Sequence, residues 1–319
     1  MTLVLLPDVG DLLRLSPAYN GATLVEIARF LNASEVLSVT PLDADHPARD
    51  AFLAVNLPVH DLAPDWRWAE AEADRLPEFL SQYPQGKERL RDAGRQEAAL
   101  RDALSVPLSP SRVRSADLLA AVKAYHDGVR DALGEGPGTA HRERRLTLLA
   151  EILGGRSGVV FAALDDVPDL LERLEEATLP DLATFTPGEA SRLRALADRA
   201  LRLEEGDDFD ALVAALLREE GDAITPKAEL QYAAANVYFA VGDLTSAREL
   251  LESAAHATVD ARRSVVGLIL ARLGQVRDAL GDRDLAKRAY QAVQALTAAP
   301  TVARETAAQG LKAPFQLDV

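Results

Sequence analysis

In the C-terminal part of the chain three Gly-Asp pairs are each followed by an alanine five residues after the glycine: Gly206-Asp207 with Ala211, Gly242-Asp243 with Ala247, and Gly281-Asp282 with Ala286. The glycines are 36 and 39 residues apart, and each pair separates two stretches whose apolar residues follow a helical period. Glycine permits the left-handed backbone that ends a helix, the next aspartate can cap the following one, and a small alanine lets two helices approach closely. These constraints leave little room for anything but stacked helical hairpins. Aromatic residues make up 5% of the chain and apolar residues 48%, so the core must be built mainly from Ala, Leu and Val, which suits close-packed helices and argues against an all-β protein.

The spacing is near the repeat of about 34 residues found in tetratricopeptide (TPR) proteins. The third unit carries the resemblance best, with Leu273-Gly274 on its first helix, Tyr290 four residues after Ala286, and Pro300 expected to end its second helix. In the second unit Ala235 and Tyr238 take the small and aromatic positions, and Thr225-Pro226 reads as an N-cap followed by proline at the first helical position. The first unit is degenerate, with Arg199 where a small residue belongs, although Thr186-Pro187-Gly188-Glu189 reads as a capping box. The segment 186–312 thus resembles three TPR units, with 301–312 expected as a capping helix. Such arrays bind peptides or partner helices on the face lined by their first helices, which implies a protein or peptide partner and selects Glu229, Gln231, Tyr232 and Asn236 as candidate binding residues. Tyr232 and Tyr238 also fit a core role.

Residues 1–178 follow a different pattern. Short apolar runs at 2–6, 35–39, 57–62 and 158–164 alternate with helical periodicity at 18–31, 66–104 with breaks near Pro84, 116–133 and 142–153. This order predicts an α/β domain with a mainly parallel sheet, with 134–138 as a loop inside it. Arg145 with Leu149-Ala150, then the run 159–164 leading into 166–171, resembles the TraB/Tiki group and its erythromycin-esterase and ChaN-like relatives. The polar groups that the resemblance implies are replaced here. Gly10 and Asp165 stand where histidines are expected and Thr40 stands near an expected glutamate, so the domain reads as a non-catalytic scaffold, a pseudoenzyme.

The alternative is a metal-assisted hydrolase of that class with an atypical site made from Asp8, His60 and Asp165. The five histidines, at 46, 60, 126, 141 and 256, include no i, i+4 pair for zinc, although His46, His60, Asp43, Asp45 and Asp65 cluster in sequence. A loop of solvated acidic residues explains that cluster equally. No phosphate-binding glycine loop follows a strand, and neither a metal nor a cofactor is expected. Trp66 and Trp68, flanking Arg67, fit either an exposed patch or partial burial.

Charge and cysteine content restrict partners further. A formal charge of −15 disfavours nucleic acid and anionic membranes, and Arg142, Arg144 and Arg145 are too few and too mixed with Glu143 to reverse that. The absence of cysteine excludes disulfides, thiolate metal sites and thiol nucleophiles. With no signal-like leader and no long apolar run, the expectation is a cytoplasmic protein that acts as a scaffold or adaptor, with a homo-oligomer formed by a second copy as a further alternative.

Overall fold

The structure is a computed structural model that describes residues 2–65, 75–258 and 260–317. Trp66, Arg67 and Trp68 lie outside the described residues. The N-terminal half is α/β with a parallel sheet, and the C-terminal part is a helical array. The compact units do not follow one linear boundary, however. The first unit comprises Met1–Gly10, Ile27–Pro41 and Pro58–Thr186, and the second Asp11–Glu26, Leu42–Leu57 and Pro187–Val319. Two segments of the N-terminal half therefore belong to the helical unit, a division that the apolar periodicity around 178–186 does not reveal.

In the first unit, strands β1 (Leu3–Asp8), β2 (Val36–Ser38), β3 (Val59–Asp61), β4 (Gly158–Ala163) and β5 (Ala177–Thr178) form one sheet in the order β3-β2-β4-β1-β5. Every pairing is parallel, with Leu5 opposite Val160 and Val160 opposite Leu37. The last three of the four apolar runs contain β2, β3 and β4, and the first, at 2–6, covers the start of β1, which continues to Asp8. The two-residue β5 is too short to leave a periodic signal.

Leu3, Leu5, Leu37, Val160 and Ala162 pack on one face with Leu149, Leu153, Val167 and Leu170. The alternate residues Leu6, Val36 and Phe161 are also fully buried. Burial on both faces explains why these strands read as continuous apolar runs without alternation.

The helices before the array are α1 (Leu12–Leu15), α2 (Gly21–Phe30), α3 (Arg49–Ala54), α4 (Arg75–Leu80), α5 (Pro84–Leu104), α6 (Ala116–Leu133), α7 (Pro137–Leu153) and α8 (Val167–Arg173). Helix α7 begins at Pro137, so the glycine-rich loop expected at 134–138 is shorter than the sequence suggests. Proline favours the first turn of a helix because its missing N–H would have no helical partner there.

The array consists of α9 (Glu189–Arg199), α10 (Phe209–Arg218), α11 (Lys227–Ala240), α12 (Leu244–Ala257), α13 (Ser264–Ala279), α14 (Arg283–Ala295) and α15 (Thr301–Lys312). Helix α11 packs on α12, α13 on α14, and α15 on both α13 and α14, while α9, α11 and α13 form a contiguous row. Helices α12 and α14 bury one stripe each, built on Ala247, Leu251 and Ala254 and on Ala286, Tyr290 and Val293. Helices α11 and α13 are buried over most of their circumference, as expected of helices covered on two sides.

The glycine conformation matches the sequence pattern in two of three repeats and the aspartate cap in one, because Asp282 stands at the N-cap of α14 without a side-chain capping bond. Gly242 and Gly281 adopt φ of +83° and +87°, and Asp243 accepts a hydrogen bond from the Ser246 N–H at 3.0 Å. Gly206 has no positive φ among the described glycines, and Asp208, not Asp207, caps α10 by accepting from the Ala211 N–H. Ala211 is exposed, whereas Ala247 and Ala286 are fully buried. Asp207 instead pairs with Arg199, the residue that made this unit look degenerate.

Two expected prolines also act differently. Pro226, and not Thr225, occupies the N-cap of α11, and Pro300 is the N-cap of α15, five residues beyond the end of α14. Among the described residues, no helix is long and apolar enough to cross a membrane.

Candidate functional site

The row of first helices in the second unit borders a cavity of 470 Å³, within the range of ordinary ligand sites, about 300–1,000 Å³. Arg194 and Asp198 of α9, Glu229, Tyr232 and Asn236 of α11, and Arg272 of α13 line one side of it. Arg14, Asp45, His46 and Asp50, from the two N-terminal segments of the same unit, line the other.

Those segments are tied to the array by its helix ends. At the start of α9, the backbone N–H of Gly188 donates to Glu26 Oε2 at 2.8 Å, and the Ser191 hydroxyl donates to the same carboxylate. At the start of α13, the Ser264 N–H and hydroxyl both donate to Asp50 Oδ2 at 2.8 Å. At the start of α15, the Thr301 N–H donates to Asp45 Oδ1 at 2.6 Å and its hydroxyl to Asp45 Oδ2 at 2.7 Å. The first N–H groups of a helix have no helical acceptor, and the helix dipole favours negative charge at that end. Three distant carboxylates thus cap these helices, and at α9 Glu26 stands in for the capping box that the sequence implies at 186–189.

Charge within the cavity is unevenly matched. Arg194 donates from Nη1 to Glu229 Oε1 at 2.6 Å and its Nη2 lies 2.9 Å from Asp198 Oδ1, so one cation faces two carboxylates, all three side chains under 20% exposed. Burial pushes the Asp198 carboxyl up to about 6 against the pull of Arg194. Arg272 is the reverse case. Its Nε donates to Asn236 Oδ1 and its Nη1 to Gln275 Oε1, both at 2.9 Å, and its guanidinium carbon lies 4.2 Å from the centroid of the Phe239 ring. Among the described residues no carboxylate pairs with it, and burial draws its pKa down. Asn236, 8% exposed, spends its oxygen on Arg272 and leaves a buried Nδ2 with no acceptor among the described residues. Such an unmade hydrogen bond costs about 1–3 kcal/mol.

The other charged lining groups are accounted for. Arg14 pairs with Asp11 and donates to the Asp45 carbonyl at 2.9 Å, while Asp45 and Asp50 serve as caps.

Of the four binding residues selected from the sequence, Glu229, Tyr232 and Asn236 line the cavity. Gln231 does not: its side chain donates to Ser253 Oγ of α12 at 2.9 Å. Arg194, Asp198 and Arg272 escaped sequence reasoning, although each lies on a first helix at a position outside its apolar stripe. Arg14 and Asp50 left no local signal, and Asp45 stood out only as a member of the sequence cluster around His46.

The structure does not gather Asp8, His60 and Asp165 into one site. Asp8 ends β1, is buried, and accepts from the Gly10 N–H at 2.8 Å. Asp165 follows β4, with His126 Nε2 of α6 at 3.6 Å from its Oδ1, and that imidazole holds its carboxyl below the usual range. His60 lies on the edge strand β3 against Glu35 at 2.9 Å, three strand positions from β1, or about 14 Å at the usual strand spacing. His46 belongs to the helical unit instead. Arg142 and Arg145 are engaged by Asp166, with Arg145 Nη2 at 2.6 Å from its Oδ2, and Arg142 also pairs with Asp169 at 2.7 Å. Among the described residues, no group of three or more His, Cys, Asp or Glu side chains is placed to hold a metal ion. Comparison with protein-family models, curated proteins and solved structures found no match.

Proposed function

We propose that this chain is a non-catalytic binding protein whose TPR-like array recognises its partner in a cavity on the first-helix face. The observation that carries this reading is the cavity itself, lined by Glu229, Tyr232 and Asn236 and bordered on its other side by residues of the chain's own N-terminal segments. An array with an open groove would suit a long helix. Here Asp11–Glu26 and Leu42–Leu57 belong to the same compact unit, so a small ligand or the end of a peptide fits better than an extended one.

In this reading the sheet unit is a TraB/Tiki-like scaffold without its acid/base groups, and the absence of cysteine suits the cytoplasm. A thermal-shift screen of full-length protein against metabolite and short-peptide libraries tests it. The expected result is at least one ligand that raises the midpoint of the native chain and of Gln231→Ala, but not of Tyr232→Ala. A ligand response that survives Tyr232→Ala, or no response from any library member, overturns the reading.

A further inference from the structure

Within that binding role, on which this step rests, the two mismatched ends of the cavity define the chemistry of the ligand. We infer that the cavity takes a short zwitterionic peptide with both ends free, its carboxylate against Arg272 and its ammonium against Asp198 and Glu229. At one end a guanidinium is held by two neutral amide oxygens and an aromatic ring, with no carboxylate among the described residues to neutralise it. A guanidinium fixed in this way keeps donors for a planar anion while its orientation is already set. Asn236 beside it has a donor that no group among the described residues accepts. At the other end, two carboxylates pair directly with one guanidinium, that of Arg194, while Arg14 acts on Asp198 only through its field, and both carboxylates retain acceptor capacity.

Spacing sets the length. Glu229 and Asn236 are seven residues apart on α11, which places the two ends about 10 Å apart along the helix axis. An extended chain covers that distance with about three residues. A single amino acid is too short to satisfy both ends, and a long peptide would bury an uncharged amide where the free end belongs. The other lining charges are occupied by Asp11 and by the helix ends of α13 and α15, so they do not compete for the ligand.

The test follows the Arg272 Nε–H resonance by NMR in the full-length protein titrated with Ala-Ala-Ala, Ala-Ala-Ala-amide and N-acetyl-Ala-Ala-Ala. The free-ended peptide should give a saturating shift, and each blocked peptide should bind at least tenfold more weakly. By equilibrium dialysis, Arg272→Gln should weaken the free acid at least tenfold and leave the amide unchanged, and Glu229→Gln should remove the discrimination against the acetylated form. Equal binding of free and blocked peptides, or no saturation by Ala-Ala-Ala, overturns the inference, and the wild-type comparison stands even if a variant fails to fold. If no tripeptide binds while the library screen still yields a Tyr232-dependent ligand, the inference alone falls. If neither binds, the binding reading falls with it.

Discussion

Asp45 accepts from both the backbone N–H and the hydroxyl of Thr301, 256 positions further along the chain. Removing it leaves the first turn of α15 without its cap. Asp45→Ala should lower the stability of the helical unit by about 1 kcal/mol, within the usual range for N-cap loss. Asp50→Ala should do the same at α13, while Asp50→Asn, which keeps a capping oxygen, should cost only a few tenths of a kcal/mol. Urea unfolding followed by circular dichroism measures both. Equal losses for the Ala and Asn variants would show that the charge, and not the cap, is what matters.

Asp198 gives the cavity a pH dependence. The folded protein holds a proton on this carboxyl up to about pH 6, whereas an unfolded aspartate releases it near 4. The fold therefore binds the extra proton between those values. This group's contribution to stability is fully present below about pH 4 and is lost as pH rises through 6. A carbon-13 titration of the Asp198 carboxyl should show a midpoint near 6, and the corresponding part of the stability change between pH 5 and 7.5 should vanish in Asp198→Asn. A midpoint of 4 or lower would mean that Arg194 outweighs burial.

In the sheet unit, the 2% exposed carboxylate of Asp166 depends on Arg142 and Arg145. Arg145→Met strips the closer partner from a buried charge and should cost roughly 3 kcal/mol. Arg173→Met breaks a pair with Glu143, which is 60% exposed, and should cost less than about 1 kcal/mol. Chemical denaturation of the two variants side by side decides between them, and similar losses would sink the argument from burial.

Tyr290 is fully buried between Gly274 and Gly310, and a Cβ at either glycine would overlap its ring. Its hydroxyl donates to Asp278 Oδ2 at 3.0 Å. Gly274→Ala should destabilise the last repeat by about 1–3 kcal/mol through overpacking. Adding Tyr290→Leu should return part of that loss, because the ring is what the new methyl meets. Thermal midpoints of the single and double variants test this, and strictly additive losses would place the strain elsewhere.

Local periodicity made much of the architecture legible. The apolar runs contain β2 to β4 and the first part of β1, the Gly242-Asp243 and Gly281-Asp282 turns divide helices where the pattern implies, and 301–312 is a helix packed on the last pair. The first repeat was misread in detail because Asp207 and Asp208 are adjacent candidates for one cap, and only the fold shows that Arg199 claims the first. In the cavity, a choice by helical face found Glu229, Tyr232 and Asn236 but also took in Gln231, because adjacent positions cannot be separated without knowing where α12 packs. Asp45, Asp50 and Glu26 were beyond reach for a different reason. A carboxylate that caps a helix from 162 or more positions away resembles any surface acid until the chain has folded.

Those three contacts also govern how the molecule can be made and divided. Synthesis proceeds from the N-terminus, so Asp50 leaves the ribosome 214 residues before Ser264, and Asp45 waits longer still for Thr301. The array therefore closes through pairings of long sequence separation, which belong to the slow class of folding events. A fragment cut near residue 186 would carry every helix from α9 to α15 and none of the three carboxylates. The repeats are consequently not a cassette that shuffling could lift into another protein, because three of their helix ends are completed by carboxylates encoded 162 or more positions upstream.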